Sequence, residues 1–303
     1  MHISVLYQEV LAALQPHSGG RYLDATVGGG GHTEGLLLAS GPDGVVLGTD
    51  ADAEAIVRAA ERLKQFGQRV VLRQSWLDQA TELARSLGFE AFDGILSDLG
   101  LSSNQLDNPE RGFSFMKDGP LDMRFDSSRG PSAAELVNQS DVAALTALLQ
   151  EYGEVQRARR VAEVIWSARP IKTTHQLRDV VAAEARSRGP IHPATQVFQA
   201  LRIAVNEELR RLSIALPQLA AALAPDGRLA VITFHSLEDR IVKTAFRDLS
   251  VVQETQPGFG LPIPVSRRQY RLVTKKPIKP GDAEVSGNPR ARSAKLRVIE
   301  RMA

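Results

Sequence analysis

Two patterns of hydrophobic and polar positions, one typical of strands and one of helices, alternate along the first hundred residues of this chain. Short apolar runs, such as Tyr22–Ala25 and Val45–Thr49, have the length of buried strands. Between such runs, apolar positions recur at helical spacing, as they do within residues 51–66. Strands that alternate with helices predict an α/β fold with a doubly wound, mostly parallel sheet, which binds ligands at the carboxyl ends of its strands.

Beyond residue 100 this alternation stops. Residues 101–129 are rich in Ser, Asn, Asp, Gly and Pro and are too long for an ordinary connection, which indicates a functional loop. An all-helical insertion is therefore predicted over residues 105–215, within a discontinuous domain of residues 1–104 and 216–303. Helices are predicted in the insertion at residues 133–137, 142–152, 154–167, 174–186 and 194–215. Further strands are predicted at residues 70–72, 92–100, 227–233, 271–274 and 295–299, with a loop over 276–292.

Composition is that of a globular enzyme. The 303 residues are 43% hydrophobic, enough for a large core in one or two domains. We expect a cytoplasmic protein, because residues 1–14 lack the basic start of a signal peptide. No membrane span is expected either, since the richest apolar stretch, residues 214–224, is short and contains Pro217. The net charge of +2 is mild, so any surface for nucleic acid must be local.

Four consecutive glycines, Gly28–Gly31, follow the first predicted strand. Glycine allows a sharp turn and a close approach of a ligand to the backbone N–H groups. Asp50 ends the second strand, where an acid can accept hydrogen bonds from both hydroxyls of a ribose. These residues indicate a nucleotide-type cofactor, whereas a plain glycine-rich turn is the alternative.

The spacing of the glycines in this loop distinguishes between nucleotide cofactors. The dinucleotide fingerprint G-x-G-x-x-G fails, because Thr33 or Glu34 stands where its third glycine is required. An acid, Asp24, is instead followed by small residues at alternate positions. This order is seen in methyltransferases that use S-adenosylmethionine (SAM), where an acid can face the cationic methionine end of the cofactor.

The absence of cysteine restricts the chemistry. Methylation at carbon 5 of a pyrimidine normally needs a thiolate, and radical SAM chemistry needs cysteines around an iron–sulfur cluster. Cysteine-based zinc sites and disulfides are excluded as well. We assign no residue to a metal site, and the sequence leaves a metal requirement open. Direct transfer from SAM to an oxygen or nitrogen nucleophile remains.

Arginines and aromatic residues cluster at the edges of the predicted insertion. Arg111, Phe113, Phe115 and Arg124 combine guanidinium groups and rings that can stack on an unpaired base. The alternative, which composition alone favours, is that the phenylalanines fill a core and the arginines are solvated. His235, directly after the fifth predicted strand, is a candidate to position a substrate or accept a proton; a structural histidine is its alternative.

A basic concentration lies at the carboxyl end of the chain. Eleven Lys and Arg residues stand between residues 267 and 301, against three acids. Such an excess can neutralise phosphates and make RNA binding depend on salt. Arg290 and Arg292 are our candidates for this contact, and a merely solvated surface is the alternative.

Eight segments in the same order resemble the MraW/RsmH family of bacterial small-subunit ribosomal RNA (cytosine-N4) methyltransferases. They are Glu9, the Gly28–His32 loop, Ser97–Gln105, Arg111–Met116, Gly119–Arg124, His192–Thr195, Phe234–Arg240 and Asn288–Ser293. The resemblance implies a SAM-dependent, Rossmann-like methyltransferase with a helical insertion. It further implies a target in 16S rRNA, the N4 amine of cytosine 1402 in the decoding centre, within the assembled small subunit.

The resemblance also implies roles for individual residues. Asp50 would bind the ribose of SAM and Trp76 would contact its adenine. The whole cofactor set is Gly30, Gly31, His32, Asp50, Trp76, Asp98 and Gln105. Asp98 ends the fourth strand and is in addition our catalytic candidate, as the acceptor of a hydrogen bond from the target amine.

One motif departs from other amine methyltransferases. Many of them end this strand with Asp/Asn/Ser-Pro-Pro-aromatic, whereas this chain has Ser97-Asp98-Leu99-Gly100. The aromatic residue that stacks on the base and the proton acceptor are therefore unidentified, with Phe113, Phe115 and His235 as candidates.

Two other functions stay open on the sequence. One is SAM-dependent methylation of DNA or of a protein. The other is a SAM-sensing, RNA-binding module without turnover, as the altered fourth-strand motif would allow. The sequence also leaves the oligomeric state open, a homodimer included.

Overall fold

A computed structural model describes residues 4–184, 192–251 and 269–303 of the chain. The chain divides into two compact units, the first made of Met1–Gly100 with Leu209–Ala303 and the second of Leu101–Glu208. The predicted insertion, residues 105–215, therefore differs by a few residues at each end.

The first unit contains the sheet. Its elements before the insertion are α1 (Tyr7–Leu14), β1 (Arg21–Asp24), α2 (Gly31–Ala39), β2 (Val45–Asp50), α3 (Ala53–Leu63), β3 (Val70–Gln74), α4 (Ala80–Ser86) and β4 (Phe92–Asp98). The second unit contains α5 (Ser103–Asp107), α6 (Ala133–Gln139), α7 (Val142–Gly153), α8 (Ala158–Ser167), α9 (Thr174–Glu184) and α10 (Ala194–Asn206). After it come α11 (Glu208–Ala221), β5 (Leu223–Thr233), α12 (Ser236–Ser250), β6 (Tyr270–Leu272), α13 (Asp282–Gly287) and β7 (Lys295–Arg301).

Across the described residues, seven strands form one sheet in the order β3-β2-β1-β4-β5-β7-β6. The first five in this order pair in parallel, and β7 pairs antiparallel with both β5 and β6. The predicted α/β fold with a mostly parallel sheet is confirmed. The strand order runs outward in one direction from β1 to β3 and in the other direction from β4 to β5, so it reverses between β1 and β4. Ligands bind at the carboxyl ends of strands at such a switch point.

Both faces of the sheet are covered by apolar helix surfaces. One core cluster joins β1, β4 and β5 to α4, α11 and α12, through residues such as Leu23, Leu216 and Phe246. The other packs the opposite face against α1, α2 and α3 through residues such as Leu36 and Leu63. This two-sided burial explains why the central strands are apolar along their whole length.

The second unit is helical and has its own core, which includes Leu149, Ile165 and Leu201. The single helix predicted over 194–215 is wrong, because α10 ends at Asn206 and Glu207 has a φ of 51°. Asn206 is buried; its side chain donates to Met123 O at 2.8 Å and accepts from Phe125 N at 2.8 Å. The helix predicted over 154–167 begins only at Ala158.

Two predicted loops contain short helices. Residues 101–129 include α5, and residues 276–292 include α13 and most of a 3-10 turn at Pro289–Ser293. The end of the helix predicted to reach residue 186, and the bases at residues 267 and 268, lie outside the described residues. Among the helices of the described ranges, none combines the length and the apolar character needed to cross a membrane.

Candidate cofactor and active site

The glycine loop connects β1 to α2. Gly28 and Gly30 have φ values of 50° and 79°, in the left-handed region that disfavours other residues. A Cβ on Gly31 would clash with Ser4 Oγ, whereas a Cβ on Gly29 would meet nothing within 4 Å. Two of the glycines therefore shape the turn, while Gly29 leaves the backbone open to a ligand.

Asp24, the last residue of β1, holds this loop in place. Its Oδ2 accepts a hydrogen bond from Thr33 Oγ1 at 2.7 Å, and its Oδ1 accepts one from Thr26 N at 3.3 Å. The side chain is buried, and burial raises its pKa to about 6. Asp24 thus ties the first turn of α2 to the end of β1.

Asp50 ends β2 beside the same loop. Its Oδ2 accepts from Gly28 N at 2.9 Å and its Oδ1 from Asp52 N at 2.9 Å. Each carboxylate oxygen has a second lone pair, so the group can also accept hydrogen bonds from a diol. Burial raises the pKa of Asp50 to about 6. Asp50, which is predicted to bind the ribose, therefore also holds the glycine loop in place.

Trp76 lies just beyond the carboxyl end of β3, and its ring is half-buried. The guanidinium carbon of Arg211, on α11, lies 4.2 Å from the centroid of the indole ring. Asp78 fixes that guanidinium, because both of its carboxylate oxygens accept from Arg211 Nη1, at 2.9 and 3.1 Å. The orientation of Trp76 thus depends on a residue far away in the sequence.

Replacing Arg211 by methionine is expected to weaken SAM binding by about three-fold to ten-fold, the range of one cation–π contact. Methionine keeps the apolar stem but no longer holds the indole ring that we expect to contact the adenine. Calorimetric titration with SAM measures the effect. Arg247→Met, at an exposed position of α12, is the control. Equal SAM affinity in the Arg211 variant and the wild type would contradict this role.

Asp98 ends β4 at the switch point. Its backbone N–H donates to Thr26 Oγ1 at 2.6 Å, and its Oδ2 lies 3.6 Å from His32 Nδ1. Within the described parts of the chain, its buried Oδ1 has no hydrogen-bond partner. Burial, followed by the charges of Asp24 and Glu238, raises the pKa of Asp98 well above its usual range.

His32 is buried in the first turn of α2. Its Nε2 lies 3.0 Å from Val5 O, a carbonyl that only accepts, so this nitrogen carries a proton. The other nitrogen, Nδ1, faces Asp98. His32 therefore connects the segment before α1 to the carboxylate at the end of β4.

His235 caps the amino end of α12. Its Nδ1 accepts from Glu238 N at 3.4 Å, while Glu238 Oε2 accepts from Phe234 N at 2.7 Å and from His235 N at 3.2 Å. This reciprocal pair is a capping box. The structure thus gives His235 the structural role that the sequence left as its alternative.

The aromatic and arginine candidates at the edges of the predicted insertion lie in the second unit. Arg111 is buried and donates to the carbonyls of Arg124 and Phe125, both at 3.0 Å. Phe113 is 6% exposed and stacks on Phe125 with centroids 5.4 Å apart. These contacts match the alternative of a loop whose phenylalanine fills a core.

The side chains of three other candidates in this unit also contact neighbouring residues. Gln105 forms a capping box with Ser102 at the start of α5. The ring of Phe115 packs edge-on against Phe198 with centroids 4.9 Å apart. Asp122 holds Arg124 through Nε at 3.0 Å and Nη2 at 2.6 Å.

The basic carboxyl-terminal segment divides into structural and exposed charges. Lys295 and Arg297 both pair with Asp239, at 3.1 and 2.7 Å. Arg290 and Arg292 are exposed on the 3-10 turn that precedes β7. The two predicted RNA contacts are therefore accessible to a ligand.

Six of the predicted cofactor residues lie in the first unit, close to the carboxyl ends of four neighbouring strands. They are Gly30, Gly31, His32, Asp50, Trp76 and Asp98. Sequence reasoning missed Arg211 and Glu238. Glu238 could have been found, because it stands three residues after the cap of α12, at the spacing of a capping box. The ranges of the chain that the structure describes contain no group of His, Asp and Glu suited to hold a metal ion.

The sequence is similar to that of known methyltransferases over nearly the whole chain. The profile of the MraW methylase family matches residues 1–302. The ribosomal RNA small subunit methyltransferase H of Citrifermentans bemidjiense is 52% identical over 310 residues, covering 99% of this chain and 98% of the relative. The protein of the same name from Magnetococcus marinus is 48% identical over 309 residues, covering 100% and 99%. That of Thermomicrobium roseum is 48% identical over 306 residues, covering 100% and 94%.

Proposed function

The chain belongs to the MraW methylase family, and from this premise we propose that it methylates 16S rRNA with SAM as the methyl donor. The proposed acceptor is the exocyclic N4 amine of a decoding-centre cytidine, cytosine 1402. The observation that carries the proposal is the arrangement of the glycine loop, Asp50 and Asp98 at the switch point of the sheet. The names of the full-length relatives support ribosomal RNA of the small subunit as the substrate.

The residues at the switch point fit SAM. The open backbone at Gly29 and the carboxylate of Asp50 suit its amino acid and ribose parts, and Trp76 offers a ring to its adenine. Acidic groups near Asp98 suit a cation better than the phosphates of a dinucleotide. His32 and Gln105 complete the proposed set.

When bound, SAM would supply an electrophilic methyl group on a sulfonium. Transfer breaks the S–CH3 bond and forms an N–CH3 bond, so the sulfur becomes a neutral thioether and the amine must lose one proton. A cytosine amine shares its lone pair with the ring and is a poor nucleophile, so the chain must contribute positioning and a hydrogen-bond acceptor. Asp98 fits the second task, because its Oδ1 has no hydrogen-bond partner within the described parts of the chain. A carboxylate that accepts a hydrogen bond from the amine increases the electron density on N4 in the transition state.

The helical unit is proposed to recognise the RNA. A base must leave its stack to enter a pocket at a sheet edge, which favours an unpaired or locally opened site. We propose that the substrate is presented in the assembled small subunit and that the protein acts in the cytoplasm.

Mapping the modified nucleotide tests the proposal directly. Ribosomal RNA from cells with and without this protein is digested and compared by nucleoside mass spectrometry, and we expect loss of N4 methylation at a single cytidine. Transfer of labelled methyl groups to isolated small subunits, naked rRNA, DNA and protein distinguishes the substrates. Label in DNA or protein alone would overturn the proposal, as would SAM binding without a methylated cytidine.

Replacing Arg290 and Arg292 together by glutamine is expected to weaken RNA binding and leave SAM binding unchanged. Each lost phosphate contact should lower the slope of log affinity against log salt by about one. Binding to a 16S rRNA fragment over a range of salt concentrations measures both quantities. The control removes two exposed charges from α12, Lys243 and Arg247. An unchanged slope would remove the 3-10 turn from the RNA interface.

A further inference from the structure

We propose that Phe234 is the aromatic residue that stacks on the target base. This inference rests on the proposed function, since it assigns a contact to the base that is methylated. In the described part of the chain, Phe234 follows the last residue of β5, Thr233, at the carboxyl edge of the sheet that holds Asp98.

The pairing of β4 with β5 places Phe234 on the same face as Asp98. Asp98 lies opposite Ile232, and Leu99 N donates to Ile232 O at 3.0 Å. Alternate residues of a strand point to the same face, so Phe234, two residues beyond Ile232, continues that face. Consistent with this, Phe234 packs against the core cluster that contains Leu96 and Ile232.

Gly100 makes room for the ring. Its φ is 98°, and a Cβ at this position would lie 3.1 Å from Phe234 Cδ2. In the motif Asp/Asn/Ser-Pro-Pro-aromatic of many amine methyltransferases, an aromatic residue follows this strand, whereas this chain has Leu99 and Gly100 after Asp98. Phe234, which follows the neighbouring strand β5, therefore places a ring beside the position where this chain lacks the aromatic residue of that motif.

The backbone of Phe234 is fixed, and its ring is half-buried. Glu238 Oε2 accepts a hydrogen bond from Phe234 N at 2.7 Å, as part of the capping box of α12. The ring is therefore attached to a backbone that is held in place, and part of its surface is exposed. By contrast, Phe113 is buried against Phe125.

Three variants test the assignment, Phe234→Leu, Phe234→Tyr and Phe234→Trp. The substrate is the small ribosomal subunit from cells that lack this protein, and the readouts are kcat/KM for the subunit, Kd for SAM and thermal unfolding. We expect the leucine variant to lose about ten-fold in kcat/KM, the order of one lost base–aromatic stack, with SAM binding unchanged. The two aromatic variants should restore most of the activity.

Phe66→Leu is the matched control, because Phe66 also packs partly buried against this core cluster but precedes β3, at the opposite edge of the sheet. It should leave kcat/KM unchanged. Wild-type activity in Phe234→Leu, or a loss that tyrosine and tryptophan do not restore, would overturn the assignment. No methylation of the subunit by the wild-type protein would instead overturn the proposed function.

Discussion

Replacing Asp98 by asparagine is expected to slow methyl transfer by about 10²-fold to 10³-fold, within the range of losing a proton acceptor at a reacting group. The amide keeps the shape of the side chain, but its oxygen is a weaker acceptor than a carboxylate. Because Asp98 Oδ1 has no hydrogen-bond partner within the described parts of the chain, the substrate amine would be the group that it serves. Single-turnover methylation of small subunits at saturating SAM measures the rate.

Dependence on pH separates this role from a structural one. Burial raises the pKa of Asp98 well above its usual range, and the ionised group is a much stronger acceptor for the amine than the protonated one. The rate should therefore fall as pH is lowered through that raised pKa, and this acid limb should be absent in Asp98→Asn. Bound SAM carries a positive charge, which favours the carboxylate, so the limb should lie at lower pH in single turnovers than in kcat/KM for SAM.

Asp93→Asn, at the opposite end of the same strand, is the control and should keep the wild-type rate. The assignment of Asp98 fails if its asparagine variant transfers methyl groups at the wild-type rate. It also fails if the acid limb persists unchanged in that variant.

The strand-end part of the site follows from local sequence patterns. An apolar run, then glycines, then an acid at the end of the next run determine where β1, the loop and β2 lie. Parallel pairing brings the ends of consecutive strands to one edge, so Asp50 and Asp98 could be placed without knowing the strand order. Burial on both faces of the sheet made these runs easy to recognise.

Contacts between distant segments could not be predicted in this way. Arg211 and Asp78 are 133 residues apart, and no periodicity relates an arginine of α11 to a ring after β3. The break between α10 and α11 depends on the bonds of Asn206 to residues 123 and 125, which lie far away in the sequence. Helical periodicity continues through this break, so the pattern predicted one helix where tertiary contacts end it.

Exposure was the other quantity that the sequence could not supply. Phe113 follows the polar segment 108–112 and Phe234 follows an apolar run, but neither pattern shows how exposed the ring is. One of them lies in the core of the helical unit, whereas the other is half-buried at the carboxyl edge of the sheet. The exposed ring surface that base stacking needs therefore depends on tertiary packing, which local sequence does not determine.

Replacing Asp50 by alanine is expected to weaken SAM binding by about ten-fold to 100-fold, which corresponds to roughly 1.5–3 kcal/mol for hydrogen bonds to a charged group. Part of this loss is indirect, because Asp50 also accepts from Gly28 N and Asp52 N. Asp50→Asn keeps one acceptor for the loop and should lose less than the alanine variant. Calorimetric titration of both variants measures the difference.

S-adenosylhomocysteine distinguishes a ribose contact from attraction to the sulfonium. It shares the ribose and adenine of SAM but carries a neutral sulfur. If Asp50 binds the ribose, Asp50→Ala should weaken SAM and S-adenosylhomocysteine by the same factor, whereas Asp98→Asn should weaken SAM more. Asp248→Ala, at an exposed ion pair on α12, should change neither. If Asp50→Ala weakens the binding of SAM alone, Asp50 contacts the methionine end of the cofactor and not the ribose. If the affinity for both compounds is unchanged, Asp50 does not contact the cofactor.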